Sequence, residues 1–301
     1  MLERCSIVFK DEKQSDVTVF QSKSVLTSEH QPSEPYGRDS QIKEIADALR
    51  PLTDQVKPVN ILAYGPAGTG KTTCIEYISD RLEQETSIKP ININCWQYNT
   101  RSSLLTEFLI ELGYPAPRKG KPVDELLTKI EEWADKSRSL NAPKGYAVIL
   151  DEFDQLKQKS EIIYDIERLN RNTEAKFGLV MISNQEPSKL QLDPRSESRV
   201  QIEPIEFLPY KTEQLTEILK HRAEKSFYPG TVTDEILETL ASAVARDGGD
   251  CRRALHTLRQ LGRKAEQNGR TEITEEMVEA AIEHSDRKST RLNSSHVCSS
   301  R

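Results

Sequence analysis

Eight residues, GPAGTGKT from Gly65 to Thr72, constrain the fold of this chain more than any other segment. A short apolar run at residues 59–64 precedes them, and residues 71–82 follow with the apolar spacing of a helix. A nearly continuous apolar run bounded by glycine is typical of a buried parallel strand. A second such run at residues 88–95 completes a strand–helix–strand unit. The sequence therefore predicts an α/β fold with a tight glycine turn after its first strand.

The same eight residues match the phosphate-binding pattern G-x-x-x-x-G-K-[ST]. Glycines let the backbone curl so that successive N–H groups point at phosphate, and the following helix adds the positive end of its dipole. Lys71 would face the β- and γ-phosphates, and the Thr72 hydroxyl would ligate Mg²⁺. A plain glycine-rich turn would not require the flanking strand and helix. We therefore predict that ATP or ADP binds with Mg²⁺ at Gly65, Pro66, Ala67, Gly68, Thr69, Gly70, Lys71, Thr72 and Thr73.

Two later strands end in polar residues that could complete a catalytic site. VILDE, at residues 148–152, places Asp151 and Glu152 at the carboxyl end of a predicted strand, where parallel sheets bind ligands. We expect Asp151 to hold the metal and Glu152 to polarise the attacking water. Asn184 follows the strand predicted at residues 177–183 and could orient that water or contact the γ-phosphate. An Asp-Glu pair alone is usually a solvated turn, so this interpretation depends on the phosphate loop.

Arginines supply a third set of candidates. Arg195 and Arg199 lie in a polar loop, DPRSESR, from which an arginine could reach a neighbouring subunit's γ-phosphate. Arg252 and Arg253 fall in the first turn of a predicted helix, where the helix dipole disfavours cations. This placement indicates that one of the two faces an anion. The same helix carries basic residues on one face, for which a solvated surface is the simpler interpretation: Arg252, His256, Arg259 and Arg263.

The chain divides by composition into an arm, two domains and a tail. Residues 1–35 are polar and irregular, and we treat them as an N-terminal arm. In residues 36–208 the strands predicted at 59–64, 88–95, 145–150 and 177–183 alternate with helical segments, which indicates a mostly parallel sheet covered by helices on both faces. Residues 209–285 contain only helical patterns, at 212–225, 234–246, 250–265 and 275–283, and are predicted to form a small all-helical lid domain.

The last residues of the chain are set apart from this fold. Residues 286–296, DRKSTRLNSSH, read codon for codon as the translation of a common sequencing adapter. An ordinary polar tail would have a similar composition, but a match of eleven consecutive residues is too long to expect by chance. We therefore treat residues 286–301 as a disordered artefact and expect the natural protein to continue beyond residue 285.

Composition excludes several classes of protein. No stretch approaches the roughly 18 apolar residues that a membrane span needs, and the start lacks a signal peptide's apolar region. The five cysteines are scattered without zinc-ligand spacing, as in a reducing compartment. The net charge is −6, so DNA binding would require local basic patches. We expect a cytoplasmic, nucleoid-associated protein without a membrane partner.

Taken together, these motifs resemble the archaeal origin-recognition initiators, AAA+ ATPases related to the eukaryotic origin recognition complex and its loading factor. The resemblance spans about residues 9–283. Its most specific pieces are NCWQYNTR at residues 94–101 and GDCRRAL at residues 249–255, with ILDEFDQL, ISNQ and LDPR between them. The departures are DPRSESRV where relatives usually have DPRVKSSL, and the missing C-terminal winged-helix domain.

The resemblance implies roles for individual residues. Asn184 would be the first sensor residue, Arg252 the arginine of the second sensor, and Arg195 the arginine finger. Arg38 and Tyr64 would lie near the adenine, with Tyr210 also binding the nucleotide. The insertion around residues 114–122 would contact DNA through Arg118, Lys119 and Lys121, although such a loop could equally serve solubility.

Three functions remain open from the sequence. The resemblance favours an ATP-dependent replication initiator that binds double-stranded origin DNA, associates with neighbouring subunits, and helps load the replicative helicase under control of slow ATP hydrolysis. A clamp-loader-like ATPase would share the fold but respond to a sliding clamp. A nucleotide-switched signalling or scaffold protein would keep its function when Glu152 is replaced by glutamine.

Overall fold

The computed structural model describes residues 17–27, 30–115, 117, 121–136, 143–193 and 200–282. Its contacts divide the chain into two compact units. One contains residues 32–208, and the other contains residues 209–282 together with the described residues before Pro32. None of the helices in these ranges is long and apolar enough to cross a membrane.

The first unit is built on a five-stranded parallel sheet. The strands are β1 (Asn60–Tyr64), β2 (Ile88–Asn94), β3 (Gly145–Asp151), β4 (Lys176–Ser183) and β5 (Ile202–Glu206). Their order across the sheet is β2-β3-β4-β1-β5. Since β4 lies between β3 and β1, the carboxyl ends of these three strands are adjacent. The residues that follow them therefore meet at one edge of the sheet.

Helices cover both faces of this sheet. They are α1 (Asp39–Leu49), α2 (Lys71–Glu85), α3 (Arg101–Glu111), α4 (Val123–Lys136) and α5 (Lys159–Asn172). Side chains of β3 alternate between the faces: Val148 and Leu150 pack with α3, α4 and α5, whereas Ala147 and Ile149 pack with α1 and α2. A strand buried on both faces reads as an uninterrupted apolar run, which is why β1, β3 and β4 were predictable from the sequence.

Two elements of this unit were not predicted. Helix α5 carries Ile162, Ile163, Ile166 and Leu169 at helical spacing, and all four are buried. Strand β5 is short and contains Pro204, and Ile205 is its one buried residue. It pairs only with β1 and forms an edge of the sheet, where proline and polar residues are tolerated. Its residues consequently lack the apolar pattern of an inner strand.

The second unit is helical. It contains α6 (Thr212–Ser226), α7 (Asp234–Arg246) and α8 (Cys251–Gln267), followed by helical residues 275–282, which we number α9. The predicted sheet with helices on both faces and the small all-helical lid are both confirmed. The last predicted helix extends into residues outside the described ranges, as does the whole of the 286–301 tail.

The described arm residues up to Gln31 belong to the lid unit. Phe20 stacks on Phe227 with ring centroids 4.8 Å apart, and the two residues form an antiparallel bridge. The buried guanidinium of Arg222 donates to the carbonyl oxygens of Val25 and His30, at 3.0 Å each. This packing could not be predicted, because the arm lacks helical or strand periodicity.

Candidate nucleotide-binding site

The glycine-rich loop joins β1 to α2 in a conformation that requires glycine. Gly65, Gly68 and Gly70 have φ angles of +145°, +74° and +86°. A Cβ atom on Gly65 would lie 2.3 Å from the backbone oxygen of Phe207, so no larger residue fits there. The loop ends at the N-terminus of α2, where the first backbone N–H groups have no acceptor within the helix. These amides form a cradle for an anion.

The side chain of Lys71 binds the backbone of this same loop. Its ammonium is buried and donates to the carbonyl oxygens of Gly65 at 2.8 Å and Pro66 at 2.7 Å. It also donates to Oδ1 of Asn184 at 3.0 Å. The structure therefore brings the predicted phosphate-loop lysine and the predicted strand-end asparagine into direct contact.

Oxygen ligands for a divalent cation converge beside the loop. The hydroxyl of Thr72 donates to Oδ2 of Asp151 at 3.4 Å. Within the described ranges, no group of three or more His, Cys, Asp or Glu side chains could hold a metal by itself. The pair suits Mg²⁺, which typically uses one or two protein oxygens and completes its shell with phosphates and water. Thr72 and Asp151 are thus the residues that would hold the ion.

Glu152 has a backbone conformation that non-glycine residues rarely adopt. Its φ and ψ are 53° and 42°, and its N–H donates to Oδ1 of Asp151 at 2.8 Å. A non-glycine residue in the left-handed region is uncommon and costs free energy. The left-handed conformation of Glu152 forms the turn between the end of β3 and the next residues. The Glu152 side chain is half-buried next to Asp151.

Asp154 is a component of the site that the sequence analysis did not single out. Its Oδ1 accepts the backbone N–H of Asn184 at 3.1 Å and the hydroxyl of Ser183 at 3.3 Å. Gln155 donates to its other oxygen at 2.7 Å. Asp154 therefore anchors the end of β4 from which Asn184 contacts Lys71. The signal was present in the sequence as a third acidic residue in ILDEFDQL, but its partner came from another strand.

A buried thiol lies behind the carboxylates. Cys95 donates its backbone N–H to the Asp151 carbonyl oxygen at 2.8 Å. Burial, together with the smaller effect of the nearby negative charges of Asp151, Asp154 and Glu152, raises the pKa of the Cys95 thiol to about 12. The thiol is therefore neutral at physiological pH and adds no charge to the site.

Arg38 lies close to the start of the loop. It is buried, donates to the carbonyl oxygen of Leu208 at 2.6 Å, and its guanidinium lies 5.5 Å from the centroid of the Phe207 ring. Phe207 is the residue that approaches Gly65, and its N–H donates to the carbonyl oxygen of Tyr64 at 2.8 Å. Arg38 thus packs beside the loop, while its role near the adenine stays a prediction.

The remaining predicted site residues lie in the lid unit, just before helix α4, or outside the described residues. Tyr210 and Arg252 belong to the lid unit, where Tyr210 is buried and Arg252 is exposed in the first turn of α8. Lys121 forms an ion pair with Glu125 at 2.5 Å. The roles of these three residues remain predictions, and four further candidates lie outside the described residues: Arg118, Lys119, Arg195 and Arg199.

Two protein families match the chain. The family described as AAA domain matches residues 57–190, and the family described as Cdc6 AAA+ ATPase-type lid domain matches residues 216–283. The first match contains the phosphate loop, Asp151 and Asn184. The second covers most of the helical unit.

Individual relatives agree with both matches. The ORC1-type DNA replication protein of Pyrococcus horikoshii is 34% identical over 277 residues, which cover 88% of this chain and 65% of that protein. The ORC1-type DNA replication protein 1 of Sulfurisphaera tokodaii is 34% identical over 268 residues, 87% of this chain and 66% of that protein. The chain thus spans about two thirds of the length of the curated relatives that it matches.

A solved structure extends the comparison to the fold. The Orc1 protein of Aeropyrum pernix, determined in complex with DNA, is 30% identical and superposes with a TM-score of 0.77. The match covers 90% of this chain and 71% of the Aeropyrum protein. The family resemblance seen in the sequence is confirmed: this chain belongs to the Orc1/Cdc6 family of AAA+ ATPases.

Proposed function

We propose that this chain is an ATP-dependent replication initiator, which binds origin DNA in its ATP state and is reset by slow ATP hydrolysis. The observation that carries the proposal is the convergence of Lys71 with Asn184, and of Thr72 with Asp151, at one edge of the sheet. Relatives at 34% identity are named DNA replication proteins, and the Aeropyrum Orc1 structure contains DNA.

Each polar group of the site has a distinct task under this proposal. The amides of residues 67–72 would hold the phosphates of ATP, and Thr72 and Asp151 would hold Mg²⁺, which neutralises phosphate charge when bound. Lys71 would exchange its contacts with the loop carbonyls for phosphate oxygens. Glu152 would accept a proton from the attacking water, and Asn184 would orient that water.

Slow hydrolysis is expected from where the arginines of the site would come from. Arginine contacts to the transferred phosphate contribute large rate factors. In this chain they would come from Arg252 in the lid and from Arg195 of a neighbouring subunit. An isolated chain would lack the neighbour's Arg195, so it would bind ATP well and hydrolyse it slowly, which suits a switch that then helps recruit the replicative helicase.

The test compares three proteins for nucleotide affinity, turnover and DNA binding. The unaltered chain should retain duplexes from the chromosomal origin better with ATP than with ADP. Lys71→Ala should lose nucleotide affinity by at least tenfold in calorimetry, because the buried ammonium is the loop's only side-chain charge.

The third protein separates binding from hydrolysis. Glu152→Gln should keep nucleotide affinity and lose about 10²-fold or more in turnover, because it removes only the base. It should therefore stay on origin DNA after ATP is added. An unchanged nucleotide affinity in Lys71→Ala, or DNA retention that ignores the nucleotide, would refute the proposal.

A further inference from the structure

The lid helix α8 presents a row of arginines to solvent. Arg252, Arg259 and Arg263 recur at spacings of seven and four residues, so they lie within a narrow arc of the helix, and His256 falls between them. Arg252, His256 and Arg263 are exposed and Arg259 is half-buried. The opposite arc, with Leu258 and Leu261 at its centre, is buried in the lid core. We call these four residues the α8 basic face.

These arginines differ from the other arginines that the structure describes. Elsewhere in the described ranges each arginine contacts an acceptor oxygen or an aromatic ring: Arg38, Arg50, Arg81, Arg101, Arg168, Arg171, Arg222, Arg246, Arg253 and Arg270. Within the same ranges, the side chains of Arg252, Arg259 and Arg263 have no hydrogen-bond or ion-pair partner. The arginines without partners therefore occur together, on one face of one helix.

The acidic residues near α8 already have hydrogen-bond or ion-pair partners other than the side chains of the α8 basic face. Asp250 accepts the backbone N–H groups of Arg252 and Arg253 as the cap of the helix. Asp247 pairs with the side chain of Arg253. Glu266 pairs with Lys23 at 2.9 Å and also accepts from Thr18 and from the Val19 backbone. The described part of the lid thus has acids near this helix, yet none of them pairs with a side chain of the α8 basic face.

We propose that Arg259 and Arg263 of the α8 basic face bind the phosphate backbone of duplex DNA. Arg252 lies at the N-terminal end of the row and is also the predicted second-sensor arginine, so it is left out of the test. This inference rests on the proposed DNA-binding function and adds to it a contact surface in the lid.

The spacing of the arginines suits a charged duplex. Arg259 and Arg263 are about 6 Å apart along the helix axis, and the whole row spans about 16 Å. Duplex DNA carries one negative charge per roughly 1.7 Å of its axis, so several phosphates lie within that length. Arginine side chains bind phosphate with several donors, and such contacts position DNA without reading its sequence. In a chain with a net charge of −6, an unneutralised basic row marks where an anion would sit.

The experiment measures how DNA affinity depends on salt. The intact chain, the variant Arg259→Gln/Arg263→Gln and the control Arg50→Gln/Arg81→Gln are titrated with a short random-sequence duplex and a short AT-rich duplex between about 50 and 200 mM salt. The control removes the same charge from arginines that are already paired, with Asp47 and Glu85. Circular dichroism and fluorescent-ATP binding should be alike in all three proteins, because surface substitutions seldom change stability by more than about 0.5 kcal/mol.

The expected result is specific. Losing two phosphate contacts should reduce the slope of log affinity against log salt by about 1.8, and reduce affinity by roughly tenfold or more, equally on both duplexes. The control should keep the slope of the intact chain. An unchanged slope in the Arg259/Arg263 variant, or an equal loss in the control, would overturn the inference while leaving the proposed function intact. If the intact chain bound neither duplex at low salt with ATP, both would fall.

Discussion

Replacing Asp154 tests whether the end of β4 is held in place for catalysis. Asp154 touches neither the phosphate loop nor the cation ligands through any hydrogen bond described above. It fixes Asn184, whose side chain in turn contacts Lys71. Asp154→Ala should therefore slow turnover more than it weakens nucleotide binding.

The size of the effect follows from the bonds that are lost. Hydrogen bonds to a charged acceptor contribute about 1.5–3 kcal/mol each, and the half-buried position of Asp154 favours the low end. Two such bonds, to the Asn184 amide and the Ser183 hydroxyl, give an upper limit of about 3 kcal/mol. If half or more of this is expressed in the transition state, kcat falls by roughly 10- to 100-fold. Nucleotide Kd should change by less than about threefold, because the loop amides keep their geometry.

Asp154→Asn provides the matched control. It keeps an oxygen acceptor at the same position, with neutral hydrogen bonds of about 0.5–1.5 kcal/mol. Its kcat should therefore lie between those of the intact chain and Asp154→Ala. Single-turnover hydrolysis and calorimetric nucleotide binding separate the chemical step from affinity.

A double-mutant cycle decides whether Asp154 acts through its neighbour. In an Asn184→Ala background, adding Asp154→Ala should cost little further activity, because residues that act in series are not additive. An equal loss of kcat with and without Asn184 would contradict the reasoning, as would normal turnover in Asp154→Ala. Thermal unfolding of each variant distinguishes a local effect from general destabilisation.

Two further predictions concern the packing and the buried thiols. A Cβ atom on Gly262 would lie 2.4 Å from the ring tip of Phe20, so Gly262→Ala should lower the free energy of unfolding by about 1–3 kcal/mol despite the better helix propensity of alanine. Urea unfolding should show a smaller loss in a Phe20→Leu background, where the ring tip is absent; an equal loss would refute the packing argument. Burial raises the pKa values of Cys74 and Cys95 from 9.0 to about 12. The folded chain then holds these protons while the unfolded chain releases them above pH 9, so stability should be independent of these thiols below pH 9 and fall as the pH rises from 9 toward 12. Replacing both thiols with alanine should flatten that alkaline decline, and an unaltered pH profile would count against the assignment.

The family and the inner strands could be predicted because their signals are local. The phosphate loop is encoded in eight consecutive residues, and its glycines have the positive φ angles that the pattern requires. Strands β1, β3 and β4 are buried on both faces, which forces a continuous apolar run. Helix α2 begins at Lys71, where the pattern places it. Local chemistry alone determined these features.

Edge and surface elements were less predictable. Strand β5 needs only Ile205 to be buried and gains its stability from pairing with β1. The arm residues around Phe20 have no periodic pattern, and their place depends on contact with Phe227, which is 207 positions away in the sequence. Neither could be identified from neighbours in the sequence.

The sequence by itself determined the chemistry available to this protein: a lysine, a threonine, two carboxylates and an asparagine, each at the end of a strand or start of a helix. Only the tertiary structure decided which of them meet. The order of the strands places β4 between β3 and β1, so Asn184 contacts Lys71, and Asp154 becomes its anchor. The same holds for α8, where the sequence showed four basic residues on one face, but the folded lid showed that its acids are bound elsewhere. The physical reason is that hydrogen bonds and ion pairs act over a few ångströms in space, whatever the separation of their partners along the chain.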